Sequence, residues 1–228
     1  MSVMAKKVIG VTLAVAVVGV AIALYVADWA TSFPPPVSST VNPVSAGGGA
    51  NLTIETVGAV GRKVSPANPD WVSYLVKSHG RWVHSTIYTV PANSVVHVTL
   101  YEFDSASGLR NQFFSQVQGT VGGTMTLDGK TVNAVNGEEA AHSFAIPELG
   151  VFVPLPGVSE AEEEKDFCEE APCEPGQYHH RTITFSFRTG KKGHYRWQCF
   201  VPCGAGFLNG NGGPMQTLGY MDGFIDVV

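Results

Sequence analysis

The residues best equipped for chemistry stand near the C-terminal end, in the block Gly193–His194–Tyr195–Arg196–Trp197–Gln198–Cys199–Phe200–Val201–Pro202–Cys203–Gly204, followed by Met221 and a final apolar strand. Two cysteines in a short loop and a later methionine are soft sulfur donors of the kind that select copper. Upstream, His142 in Ala141–His142–Ser143–Phe144 supplies an imidazole. No histidine follows Cys199, where a standard copper electron-transfer loop carries one.

A second cysteine pair, Cys168 and Cys173, flanks an acidic stretch with His179–His180 close by. Cys and His donors there would suit zinc or copper. C-x4-C followed by paired histidines matches no standard zinc spacing, and an oxidising compartment favours a disulfide. The disulfide is the leading expectation, and cross-pairing with Cys199 or Cys203 stays open. The chain shows no acid–base pair and no nucleophile constellation of its own.

These residues need a framework, and the pattern from Asn51 onward is one of strands. Asn51–Thr56, Trp82–Val90 and Ser94–Tyr101 alternate apolar and polar residues and are rich in Val, Ile, Thr and Tyr. Later strands are expected at Gly123–Leu127, Thr131–Ala134, Ala140–Ala145, Thr182–Arg188, His194–Cys199 and Gly223–Val228, with Gln112–Gln118 a short helix or loop. Many short strands with turn signals and almost no helical period indicate an all-β sandwich or barrel. On the strand His194–Cys199 the pleat puts Tyr195, Trp197 and Cys199 on one face, expected to be the core, and His194 on the other. Trp71, Trp82, Phe113 and Phe114 read as core or interface residues. Asn51–Leu52–Thr53 fits a glycosylation sequon, a short and frequent pattern.

Val8 to Ala27 carries no charge, is preceded by Lys6 and Lys7 and is followed by Asp28. About twenty apolar residues at ~1.5 Å each cross a hydrocarbon core, and the basic flank places the N-terminus in the cytoplasm. A cleaved signal peptide shares the basic start. Its apolar stretch is shorter, about 7–15 residues, so residues 1–30 read as a retained single-pass anchor in the cell membrane. Residues 31–50, rich in Pro, Ser and Gly, read as a tether, and residues 51–228 as an extracytoplasmic domain. The formal charge of −5 argues against nucleic acid as a partner. Residues 159–175 form an acidic insertion. Its Glu160, Glu162, Glu163, Glu164, Asp166, Glu169 and Glu170 are either a solvated face or a docking patch for a basic redox protein.

Two segments resemble a known family. Ala141–Gly150 (AHSFAIPELG) with Pro156–Gly157, and Gly193–Gly204 with Met221–Val228, resemble the two ligand segments of subunit II of haem-copper (cytochrome c) oxidases. The resemblance implies a cupredoxin-like Greek-key β-sandwich with one N-terminal transmembrane helix. It also implies a binuclear CuA-type copper site, with His142, Cys199, Cys203, the Val201 carbonyl and Met221 as metal ligands. At the family's second histidine position stands Phe207, and the spacing from Cys203 to Met221 is longer than the family's, with Met215 as a rival sulfur. Loss of that imidazole implies an altered copper site, mononuclear or binuclear, or a metal-free loop. Completion by His84 or His97 is the least expected outcome, because neither lies in a ligand motif.

The function implied is electron transfer within a respiratory membrane complex. Its partners would be the other subunits, the membrane and a basic protein such as a cytochrome c. A metal-free structural subunit and a copper-delivery protein are the alternatives. The known chaperones with a C-x3-C pair have a thioredoxin fold, against which the all-β pattern and the C-terminal position of the pair argue.

Overall fold

The computed structural model describes residues 2–31, 37–38, 40–41, 49–60, 64, 71–159, 166–204 and 213–228. It divides into two compact units, Met1–Phe33 and Pro34–Val228. The first is a helix, α1 (Val3–Thr31), whose segment Val3–Ala27 is long and apolar enough to cross a membrane. A membrane anchor and a signal sequence both have this form.

The second unit is a sandwich of two sheets. One has the order β1 (Val37–Ser38), β6 (Ile87–Val90), β14 (Asp222–Val227), β13 (Gly193–Gln198), β10 (Ala140–Ile146) and β11 (Val151–Pro156). The other has the order β5 (Arg81–Val83), β4 (Ser73–Ser78), β3 (Ala50–Val57), β7 (Val95–Glu102), β12 (Arg181–Arg188), β8 (Met125–Leu127) and β9 (Lys130–Val132), with β2 (Thr40–Val41) beside β3. Pairing is antiparallel except β1 with β6, β6 with β14, and β3 with β7.

The expected strands form close to their predicted bounds, with three differences, the first being that β1 and β2 fall within residues 31–50, read above as a tether. Trp82–Val90, read as one strand, is two: β5 belongs to one sheet and β6 to the other. The break falls at Ser85 and Thr86, both fully buried, where the Ser85 N–H bonds back to Val83 O and Thr86 O accepts from Phe224 N and from Trp197 Nε1. The Ser85 bond turns the chain out of the first ladder, and the Phe224 N–H to Thr86 O bond opens the ladder of β6 with β14. Strands β4 and β11 have no sequence counterpart above. Both are buried almost throughout, so they lack the alternation that marks a half-exposed strand. Gln112–Ser115 is a 3₁₀ turn in which the Asn111 side chain accepts from the Phe113 N–H.

The core packs around Trp197, which is fully buried. Its ring stacks on Phe144 at 5.0 Å and on Tyr88 at 5.6 Å, and meets the edge of Tyr74 at 4.8 Å. This aromatic cluster ties the two sheets together, and each ring adds about 0.5–1.5 kcal/mol beyond its burial. Phe114 joins the core and Trp71 and Trp82 pack partly buried against it. Phe113 lies outside the core, 48% exposed, with its ring 4.4 Å from Phe152. Asn51 of the sequon lies within β3, paired to His97 on one side and Thr40 on the other.

Candidate metal centre

Strand β13 delivers Cys199. Trp197 faces the core, so the pleat turns Cys199 inward two residues later, and both are buried while His194 is exposed and paired with Asp226. The Cys199 N–H donates to Met221 O at 2.8 Å, which closes the ladder to the final strand. Beyond it the chain turns through Val201–Gly204, where Gly204 takes a φ of +75° that disfavours any side chain.

Strand β10 delivers His142 from the neighbouring position in the same sheet. A bulge between Ala140 and His142 shifts its register against β11. Such an extra residue re-aims the side chain that follows it. Ser143, the next residue, locks the two segments together: its Oγ accepts from Phe200 N at 2.8 Å, and its N–H points at Cys199 Sγ at 3.3 Å. Tyr74 Oη, from the opposite sheet, donates to Ser143 O at 2.9 Å.

The outcome is a buried trio. Ligand atoms of His142, Cys199 and Cys203 all lie within 4.8 Å of one another. Cys199 Sγ and Cys203 Sγ are 3.5 Å apart as free thiols, and His142 Nδ1 is 3.0 Å from Cys203 Sγ. The Val201 carbonyl faces both sulfurs, at 3.0 Å from Cys203 and 3.5 Å from Cys199. Among the described residues this is the one group of three such donors.

The other sequence candidates fall elsewhere. Met221 is fully buried beside Cys199 and joined to it through its carbonyl. Met215 is partly buried against the core. His84 packs its ring on Tyr220 at 4.9 Å and His97 bonds Ser186 at 2.8 Å, so neither joins the trio. Cys168 and Cys173 are disulfide-bonded to each other, as the compartment argument expects. Asp166, Glu169 and Glu170 are exposed, whereas Glu160, Glu162, Glu163 and Glu164 lie outside the described residues, as does Phe207.

Two functional neighbours escaped the sequence. Asp104 Oδ2 is 3.1 Å from His142 Nε2, and Glu102 Oε1 is 4.0 Å from the same atom. A signal existed for Glu102. Strand β7 buries Val96, Val98, Leu100 and Glu102 on one face, so a carboxyl occupies a core position. Burial pushes its pKa up to about 8.

Burial also opposes charge on His142, but Glu102, Asp104 and the Cys199 thiolate outweigh it and hold the imidazole well above its ordinary pKa. For Cys199, burial is outweighed by hydrogen bonds from Cys203 and His142 and by the His142 charge. Its pKa therefore falls well below that of a free thiol. The bond to Cys199, with burial, pushes Cys203 well up. The surroundings thus favour the thiolate at Cys199 over Cys203, and thiolate is the form that binds metals.

One imidazole nitrogen, two sulfurs and a carbonyl oxygen, converging at a buried point, fit copper. The same softness also admits zinc. A cleft of about 410 Å³ lined by Trp71, Asp104, Ser107, His142, Pro202 and Cys203 reaches this group from outside.

No protein-family model and no curated protein matches the chain. Among solved structures it is similar to a methionine-to-leucine variant of rusticyanin, at 16% identity and a TM-score of 0.35, covering 85% of this chain and 81% of that one. A chain of a heme-copper terminal oxidase dimer is similar at 15% identity and a TM-score of 0.34, covering 98% and 99%. Rusticyanin from Thiobacillus ferrooxidans follows at 14% identity and a TM-score of 0.31, covering 85% and 82%. The sheets and the loop define a two-sheet β-sandwich, with cupredoxins among its structural neighbours, whose buried His–Cys–Cys group lies between β10 and the loop after β13.

Proposed function

We propose that this chain is a membrane-attached, cupredoxin-like copper protein that carries electrons, in the manner of subunit II of a haem-copper oxidase, with an altered CuA-like site. The observation that carries this reading is the convergence of His142 Nδ1 and the Cys199 and Cys203 sulfurs within 4.8 Å, with the Val201 carbonyl facing both sulfurs. Val201 and the three side chains are the positions at which the two oxidase-like segments align with ligands. Met221 is the fifth member of the proposed set.

Copper held there supplies one-electron chemistry. The protein's contribution is rigidity. Ser143 fixes both the Cys199 sulfur and the loop that follows it, Tyr74 fixes Ser143, and Asp104 fixes the outer edge of His142. Ligands held in this way move little between oxidation states, which favours fast electron exchange. The resemblance to subunit II supports a place in a respiratory complex on the extracytoplasmic side of the membrane. The exposed Asp166, Glu169 and Glu170 support a basic redox partner such as a cytochrome c.

The full chain in detergent, reduced and loaded with copper, tests this. Intense thiolate-to-copper absorption that disappears in Cys199→Ser and in His142→Ala is the expected result. A fully reduced protein that takes up no copper would point to a metal-free structural subunit. Uptake of Cu(I) alone, passed readily to an acceptor, would indicate a delivery protein. Zinc retained in preference to copper would indicate a structural metal.

A further inference from the structure

The imidazole of His142 has two edges, and the structure gives each a different task. Nδ1 faces the sulfurs, 3.0 Å from Cys203. Nε2 faces away from them, 3.1 Å from Asp104 Oδ2. A neutral imidazole offers a lone pair at one nitrogen only, and the hydrogen bond at the other nitrogen decides which. A carboxylate at Nε2 holds the proton there and leaves Nδ1 to the metal.

Asp104 is itself held at several atoms. Its Oδ1 accepts from Ser105 N at 2.8 Å, its main-chain N–H donates to Glu102 Oε1 at 3.0 Å, and its carbonyl accepts from Val158 N at 3.0 Å. Its main chain is closely packed on one side, where a Cβ at Gly157 would meet Asp104 O at 2.7 Å. Its side chain, 24% exposed, lines the cleft and turns Oδ2 onto a histidine only 3% exposed.

We propose that Asp104 is the positioning residue of the metal centre: it fixes the Nε2–H form of His142 and places a negative charge behind the ring, favouring the more oxidised state of the bound copper. The proposal rests on reading the cluster as a copper centre. Two thiolates and Asp104 carry three negative charges. One cuprous ion opposes them with one positive charge, one cupric ion with two, and a mixed-valence pair with three. An uncompensated charge in a buried site is costly, so the carboxylate favours the state with more positive charge on the metal.

Asp104→Asn keeps the shape and the main-chain bond from Val158 but removes the charge, and its single amide oxygen accepts from Ser105 N or from His142 Nε2, not both. Asp104→Ala removes the acceptor as well. The full chain of each is loaded with zinc, which is redox-silent, and separately with copper. In the zinc-loaded wild type a downfield Nε2 proton on His142 is expected by nuclear magnetic resonance, absent in Asp104→Ala, with zinc bound about 10–100-fold more weakly by that variant. In the copper-loaded protein the reduction potential should rise in Asp104→Asn.

An unchanged proton signal and zinc affinity in Asp104→Ala would overturn the positioning role. An unchanged or lowered potential in Asp104→Asn would overturn the charge role. A wild type that binds zinc but yields no redox-active copper removes the electron-transfer reading and the charge role, and leaves the positioning role to be judged on the zinc data. A wild type that binds neither metal removes all of them. Retention of the near-ultraviolet circular dichroism of the Trp197 cluster shows that each variant is folded, and Asp104→Asn carries the test if Asp104→Ala is not.

Discussion

At the scale of single residues, the trio His142, Cys199 and Cys203 is surrounded by groups that set its charge, and the least visible of these are carboxyls. Glu55 is a second buried carboxyl, outside the metal centre and fully enclosed. Its pKa rises from an ordinary 4.5 to about 8. Burial is the main cause and Glu174 adds to it, against a Cys173 main-chain bond and the Lys77 charge. Folded protein therefore holds this proton where unfolded chain has lost it. Stability from Glu55 is full below pH 4.5 and declines as pH rises to about 8. Glu55→Gln stays neutral throughout. Its gain over wild type should grow across that window to at most about 5 kcal/mol, read as urea midpoints at pH 5, 7 and 8.5. Equal midpoint differences at all three values would show that Glu55 carries no trapped proton.

Elements contribute by bringing backbones to close quarters. Gly223, in β14, lies across from Trp197, and a Cβ there would fall 1.8 Å from Thr86 O. That oxygen already accepts from Trp197 Nε1 at 2.9 Å and from Phe224 N at 3.0 Å. Gly223→Ala must push β6 away from β14 and disturb the indole that anchors the core. A loss of about 3 kcal/mol is expected in denaturant unfolding. A loss below about 0.5 kcal/mol would mean that the strands part without cost. Metal affinity should fall with it, because β13 and β14 carry the cysteine loop between them.

For the molecule as a whole, the two compact units and the disulfide bear on stability separately. Cys168 and Cys173 close a short loop, with a sequence separation of 5. Chain entropy for a loop of that size gives about 2 kcal/mol, so Cys168→Ala with Cys173→Ala should lower stability by about that amount. Cys199 and Cys203 should then remain titratable as free thiols in the reduced protein. Helix α1 and the sandwich belong to two separate compact units. A chain beginning at Pro34 should therefore melt within a few degrees of the full chain and bind metal with the same stoichiometry. A large drop in melting temperature would show that the helix supports the sandwich.

Much of this protein is written locally. Alternation identified β7, β12, β13 and the first half of β3, because each has one buried face and one wetter one, and the same pleat predicted Cys199 inward and His194 outward. Residue type and spacing brought Cys199, Cys203 and His142 under suspicion, and the resemblance to oxidase subunit II added the Val201 carbonyl. Compartment chemistry paired Cys168 with Cys173. Strands β4 and β11, buried on both faces, lost that alternation, and the buried polar pair Ser85–Thr86 hid the crossing between sheets. Asp104 and Glu102 meet His142 from 38 and 40 positions away in the chain, through a strand of the opposite sheet. No local pattern encodes such a meeting. Sequence by itself therefore determined which donors exist and which of them point inward. Tertiary structure alone decided which carboxylate backs the histidine, because hydrogen bonds and charge act through space at a few ångströms, whatever the distance along the chain.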